Sequence, residues 1–324
     1  MKSVVITGAT SMLGVALANE CIRQGVEVFA VVRPGTEKVT RLDRNPMVTI
    51  IECDLSDYGS LHEKIQCEET VDAFFHLAWT SSKKEDRQNK EKQHINVSYV
   101  KSAILAASNL GCKQFVGAGS QAEYGIMNEL ANENTTCKPV NEYGKSKYMA
   151  YTEGKEEARR HEIAFTWVRI FSLYGIYDND DTLIQQLMRS LKRMELIGLT
   201  KCSQIWDYLY ADDAAVVFYE LASKMISGLF CLGSGSPNLL REYVETVAKV
   251  YVQSLREAGS ECTENDVMEL LDFGSVPMAK DQSIVVAPDI TKLKEAINFS
   301  PKIGFEEGMR HLISGTTLNV EEVG

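Results

Sequence analysis

The 324-residue chain lacks any paired-cysteine motif: its eight cysteines, at positions 21, 53, 67, 112, 137, 202, 231 and 262, never fall as C-x-x-C. Most stand inside apolar segments, where a reduced thiol behaves as a small hydrophobe, so neither a disulfide framework nor a zinc site is expected, and no metal. Positive charge is also short. Against 45 acidic side chains there are 34 basic ones, a formal charge of −11, the wrong sign for gripping a phosphate backbone by counterion release. Nucleic acid is therefore not an expected partner. No stretch approaches the ~18 apolar residues of a membrane span. The opening Met-Lys-Ser-Val-Val-Ile-Thr-Gly meets glycine too early for a signal peptide. A soluble, reducing, cytoplasmic setting without a membrane partner is the expectation. Internal repeats and low-complexity tracts are missing too, whereas 44% hydrophobic residues supply a sizeable core.

Short β-branched or aromatic runs recur at 4–6, 26–32, 48–53, 73–77, 114–118 and 165–171. Between them, 13–24, 95–110 and 143–161 carry apolar residues at helical spacing. This alternation predicts an α/β fold, a doubly wound parallel sheet of Rossmann type with a smaller C-terminal substrate-binding region. The division expected is 1–172 for dinucleotide binding and 173–324 mainly for substrate, with 205–232 returning to the core. Helical patterns near 182–193 and 239–257 fall in the second part, and the charged run 83–92 reads as a solvated loop.

After the first run comes Thr7-Gly8-Ala9-Thr10-Ser11-Met12-Leu13-Gly14. Glycine there lets backbone amides approach a pyrophosphate at the positive end of the following helix. Two glycines spaced by six are, taken alone, equally an ordinary tight turn. With strand before and helix after, the segment resembles the T-G-x-x-G-x-x-G fingerprint of extended short-chain dehydrogenases/reductases, the NAD(P)-dependent epimerase/dehydratase family, with Ser11 at the middle glycine. That resemblance implies a cofactor held by Gly8, Thr10, Ser11, Met12, Leu13, Gly14, Asp54, Leu55, Leu77, Ala78, Trp79 and Asn96, together with Tyr143 and Lys147. NAD-using relatives end their second strand with an aspartate on the ribose. Here Arg33 follows Val32, and a guanidinium takes a 2′-phosphate, so NADP(H) is favoured over NAD(H). The alternative is that Arg33 merely opens a surface loop.

Tyr143 and Lys147 stand four apart, on one face of a helix. A free tyrosine holds its proton up to about pH 10; an ammonium beside it favours phenolate, and a lowering of ~3 units amounts to about 4 kcal/mol. Lys147 is thus expected to make Tyr143 acidic, and Ser120, ending the fifth run, to hold a substrate oxygen. The three match the family's Ser/Thr, Tyr and Lys triad. Segments 168–175 and 206–213 resemble its substrate-pocket motifs, which adds Gln121, Ser172 and Tyr174 as substrate contacts. The resemblance implies a nucleotide-diphosphate sugar as substrate and a homodimer built on helices 95–110 and 143–161.

Sugar-nucleotide 4,6-dehydratases need an acid and a base directly after the triad serine, where this chain has Gln121 and Ala122. Glu123 is one place too far along and reads as a salt-bridged or exposed carboxylate. The Gly-Ser-Gln-Ala-Glu-Tyr-Gly stretch looks like the subgroup around O-antigen deoxyhexose synthesis, including CDP-abequose synthase-like 4-ketoreductases. A 4-keto-sugar reductase is the first expectation. A 4-epimerase with tightly held NAD(P), or a non-catalytic NAD(P)-sensing protein, are the alternatives.

Overall fold

All six apolar runs of the first 172 residues become strands. In the computed structural model, which describes residues 1–67, 70–279 and 282–315, they are β1 (Ser3–Thr7), β2 (Glu27–Val32), β3 (Val48–Glu52), β4 (Ala73–His76), β5 (Gln114–Ser120) and β6 (Ala164–Ile170). The helices between them are α1 (Met12–Arg23), a single turn α2 (Leu61–Lys64), α3 (Lys90–Asn109) and α4 (Glu142–Arg160). Polar side chains start α1, α3 and α4: Ser11 accepts from the Gly14 amide, Asn89 from Lys92 and Asn141 from Gly144, which satisfies first-turn donors that have no partner inside the helix. Farther on come β7 (Ser172–Tyr174), α5 (Leu183–Lys192), β8 (Ile197–Leu199), β9 (Ile205–Trp206), β10 (Tyr208–Tyr210), α6 (Ala211–Ser223), β11 (Gly228–Leu232), α7 (Leu240–Glu257), α8 (Glu264–Met268), α9 (Thr291–Ile297) and α10 (Phe305–Gly315).

Seven strands form one parallel sheet in the order β11-β6-β5-β4-β1-β2-β3. Alternate residues feed its two faces. Val4 and Ile6 pack with α1 and α6, whereas Val5 packs with the Phe74, Val100 and Ile104 layer beneath α3. The strand order reverses between β1 and β4, which opens a crevice at their carboxyl ends.

Beyond residue 172 the chain divides. Helix α6 lies beside α1, β11 extends the sheet next to β6, and Ile290, Leu293, Ile297 and Phe299 join the same core. A separate apolar cluster, with Leu187, Leu191, Val247, Tyr251 and Leu312, holds α5, α7 and α10 together above the carboxyl edge. The return of 290–299 to the main core has no sequence signal beyond a short amphipathic turn. The charged run 83–92 is exposed as expected but is more than a loop: Lys84–Asp86 form a 3-10 turn, and the Arg87 carbonyl accepts from the Tyr143 amide at 3.0 Å.

Candidate active site

The crevice is floored by the turn from β1 into α1. Gly8 has φ +68° and lies so near the β4 end that a Cβ would meet the Ala78 nitrogen at 2.8 Å. Only glycine combines that conformation with that approach. Ser11, in the place of the family's middle glycine, keeps φ at −75° and is the N-cap of α1; its hydroxyl also donates to the Gly8 carbonyl at 2.7 Å. The first turn of α1, Met12 and Leu13 included, presents backbone donors toward the crevice, chemistry that suits a pyrophosphate. Leu77, Ala78 and Trp79 form a half-buried rim at the end of β4. His76 beneath them is buried, bonded through Nδ1 to the Thr7 hydroxyl at 3.0 Å and pushed down to about pKa 3 by desolvation, so it is a neutral core residue. The residues present therefore fit a dinucleotide.

Ser120, Tyr143 and Lys147 converge beside this floor. Ser120 sits at the carboxyl end of β5, and its Oγ accepts from the Ala122 amide at 3.2 Å. Tyr143 lies in the first turn of α4, with the Arg87 guanidinium 5.2 Å from its ring centre and Trp79 edge-on at 5.9 Å. Lys147, one turn later and 4% exposed, donates from Nζ to the Ala118 carbonyl at 2.8 Å; the same nitrogen lies 3.7 Å from the Trp79 ring centre and 5.9 Å from that of Tyr143.

Electrostatics here correct one expectation. Burial raises the Tyr143 pKa, and it outweighs the downward pull of the Ser120 hydrogen bond and the Arg87 charge. Burial also brings Lys147 down to about 7, against the opposing effect of Glu123. In this geometry the Lys147 nitrogen lies against Trp79 and the Ala118 carbonyl, and the effects that pull the Tyr143 pKa down come from Ser120 and Arg87.

Other expected site residues are also re-placed. Asn96 is buried, and its carboxamide is committed to Thr80, accepting from its amide at 2.8 Å, and to carbonyls of its own helix; it holds the rim loop and does not line the crevice. Tyr174 turns into the C-terminal cluster, its hydroxyl donating to the Phe305 carbonyl at 3.2 Å. Tyr208, Tyr210 and Phe305 surround its ring at centre distances of 6.0, 5.3 and 4.9 Å, which favours its burial there. Asp54 caps the 3-10 turn at Leu55–Ser60 through Ser56. Arg33 is exposed at the end of β2. Gln121 and Ser172 stay half-buried at the carboxyl edge.

Sequence reasoning missed two basic residues. Arg41 donates to the Thr10 carbonyl at 3.2 Å and stacks over the Tyr177 ring at 4.6 Å, so it links the glycine turn to the loop after β7. Arg87 was hidden in a charged run. Neither lies in a motif; loop folding alone brings them to the site.

The model of the NAD dependent epimerase/dehydratase family matches residues 4–229. CDP-abequose synthase of Salmonella muenchen is 23% identical over 324 residues, 97% of each chain. The structure of UDP-glucose 4-epimerase from Thermotoga maritima with UDP-glucose superposes with a TM-score of 0.80 at 20% identity, covering 96% of this chain and 97% of that one. dTDP-glucose 4,6-dehydratase from Bacillus anthracis str. Ames in complex with NAD gives 0.78 at 16%, covering 97% and 96%. At such identities the structural likeness establishes the fold.

Proposed function

Because the chain belongs to the NAD dependent epimerase/dehydratase family, we propose that it reduces a 4-keto nucleotide-diphosphate sugar with NADPH. The observation that carries this reading is the meeting of Ser120, Tyr143 and Lys147 beside the Gly8 turn with no acid at the two positions after the serine. Ala122 cannot move a proton, and Glu123 is bonded to Trp167 and Arg169 behind the site. Loss of water from C6, which needs such an acid, is therefore disfavoured.

The nicotinamide, when bound, supplies the hydride. Ser120 holds the carbonyl oxygen, and Tyr143 gives its proton to that oxygen as charge grows there; a phenol whose pKa burial has raised starts the step protonated. Lys147, buried with a pKa near 7, takes up or releases a proton across neutrality one turn from the phenol. The likeness to CDP-abequose synthase supports a nucleotide-sugar substrate. Arg33, standing where a ribose-binding aspartate would stand, supports NADP(H).

A 4-epimerase is the second reading, favoured by the Arg41 contacts to Thr10 and Tyr177, which suit a dinucleotide that stays bound. A panel of 4-keto and 4-hydroxy nucleotide sugars, with and without NADPH, separates them. Consumption of NADPH only with keto-sugars is expected, and Tyr143→Phe should lose about 10²–10⁴-fold in kcat while nucleotide affinity holds. Purified protein that carries stoichiometric nucleotide and interconverts hydroxy-sugars without added coenzyme would establish the epimerase instead.

A further inference from the structure

Directly behind Ser120 lies a buried ion pair that proton and hydride transfer do not use. Glu123 is 0% exposed and Arg169 2%. One carboxylate oxygen, Oε1, accepts from the Ser120 amide at 2.9 Å and from Trp167 Nε1 at 3.0 Å; the other, Oε2, accepts from Arg169 Nε at 2.7 Å. The guanidinium in turn lies over the rings of Tyr124, at 4.6 Å, and Tyr151, at 5.5 Å. Gly119 leaves room for this arrangement. A Cβ there would come within 2.3 Å of Trp167 Nε1 and 2.7 Å of Glu123 Oε1.

A buried ion pair is weak evidence of stability, since apolar residues of the same volume often do as well. Its position here is more informative. The carboxylate grips the peptide nitrogen of Ser120, while the Ala122 amide occupies one lone pair of the Ser120 hydroxyl. With its backbone held from behind and its oxygen already accepting a hydrogen bond, that hydroxyl has its one proton free for the crevice, turned toward Tyr143 in the ligand-free site and toward the substrate oxygen once substrate is bound.

We propose that Glu123, braced by Arg169 and Trp167, is the positioning residue of the reactive site, fixing the Ser120 peptide so that its hydroxyl meets the Tyr143 oxygen. Glu123 touches neither substrate nor cofactor and acts only through Ser120. Its relevance to turnover rests on the function proposed above; the geometry itself does not.

The test has a ligand-free arm and a kinetic arm. In the first, the Tyr143 pKa is read by NMR of ¹³Cζ-labelled tyrosine in wild type, Ser120→Ala and Glu123→Asp. The aspartate keeps the charge, and with it the background set at Tyr143 by Arg87, Lys147 and the carboxylate, but it withdraws the oxygen from the Ser120 amide. Both variants should raise the Tyr143 pKa by roughly half a unit or more. If Ser120→Ala raises it and Glu123→Asp does not, or if neither does, the proposal is overturned. A wild-type measurement covers the case in which the aspartate variant fails to fold: the Ser120 amide should exchange with deuterium as slowly as interior amides of β5, and exchange at the rate of an exposed loop amide refutes the assignment.

In the second arm, Glu123→Asp should lower kcat about 30-fold on the sugar nucleotide that wild type accepts, with KM within about threefold. Equal losses of kcat, KM and melting temperature would mark the pair as merely structural. A wild type that turns over no sugar nucleotide removes the proposed function and leaves the positioning claim to be decided by the first arm.

Discussion

Lys147 has a pH consequence that follows from its burial alone. Its folded pKa is about 7, whereas an unfolded lysine titrates near 10.4. Between these values the unfolded chain binds the extra proton, so this group makes the fold more stable as pH rises. The gain is up to about 1.4 kcal/mol per pH unit. Buried thiols act in the opposite sense: Cys21, Cys112 and Cys231 are pushed up to about 12 by desolvation, and above their unfolded pKa they favour unfolding. The useful window is therefore pH 7 to about 8.5. There, urea denaturation of wild type should show stability climbing relative to Lys147→Met. Parallel curves for the two proteins would mean that Lys147 keeps its charge in the fold. His76 works in the same sense as Lys147, in a window at acid pH. With a folded pKa of about 3 it contributes stability above its unfolded value, near 6.5, that is lost as pH falls toward 3.

The turn from β1 into α1 shows how one element tolerates one change and refuses another. Gly8→Ala must place a Cβ on a left-handed residue, at about 1–2 kcal/mol, and 2.8 Å from the Ala78 nitrogen. Loss of at least that stability is expected in thermal melts, together with a drop of about tenfold or more in nicotinamide-dinucleotide affinity by fluorescence titration, because the rim at Ala78 must move. Ser11→Gly, which restores the family's middle glycine, gives up a side-chain cap for glycine and should cost only a few tenths of a kcal/mol. A Gly8→Ala protein that binds nucleotide as well as wild type would show that the crevice does not depend on this close approach.

At the scale of the whole molecule, α3 and α4 pack side by side and leave Ile95, Leu105 and Tyr148 exposed on their outer surface. We propose that this face meets the same face of a second chain, the apolar side chains it exposes being covered there. Sedimentation should then give a dimer for wild type and a monomer for Ile95→Glu/Tyr148→Glu, with the far-ultraviolet spectrum unchanged; a monomeric wild type rules the interface out.

What could be read from the residues was whatever local periodicity and spacing encode. Strand runs such as 4–6 and 114–118, the helix spacing of 143–161 and the Gly8 turn each report structure within a few residues of themselves, because backbone conformation and capping are short-range. Ser120, Tyr143 and Lys147 were legible for the same reason, each being tied to one strand end or one helical turn. Tertiary structure decided everything that depends on which side chains meet across the sequence. Burial moved the Tyr143 and Lys147 pKa values, packing against Phe305 and Tyr208 drew Tyr174 inward, and loop closure brought Arg41 and Arg87 to the crevice. Glu123 and Arg169, 46 positions apart, became one unit only when β5 and β6 paired, since desolvation and ion pairing depend on three-dimensional neighbours that no local pattern records.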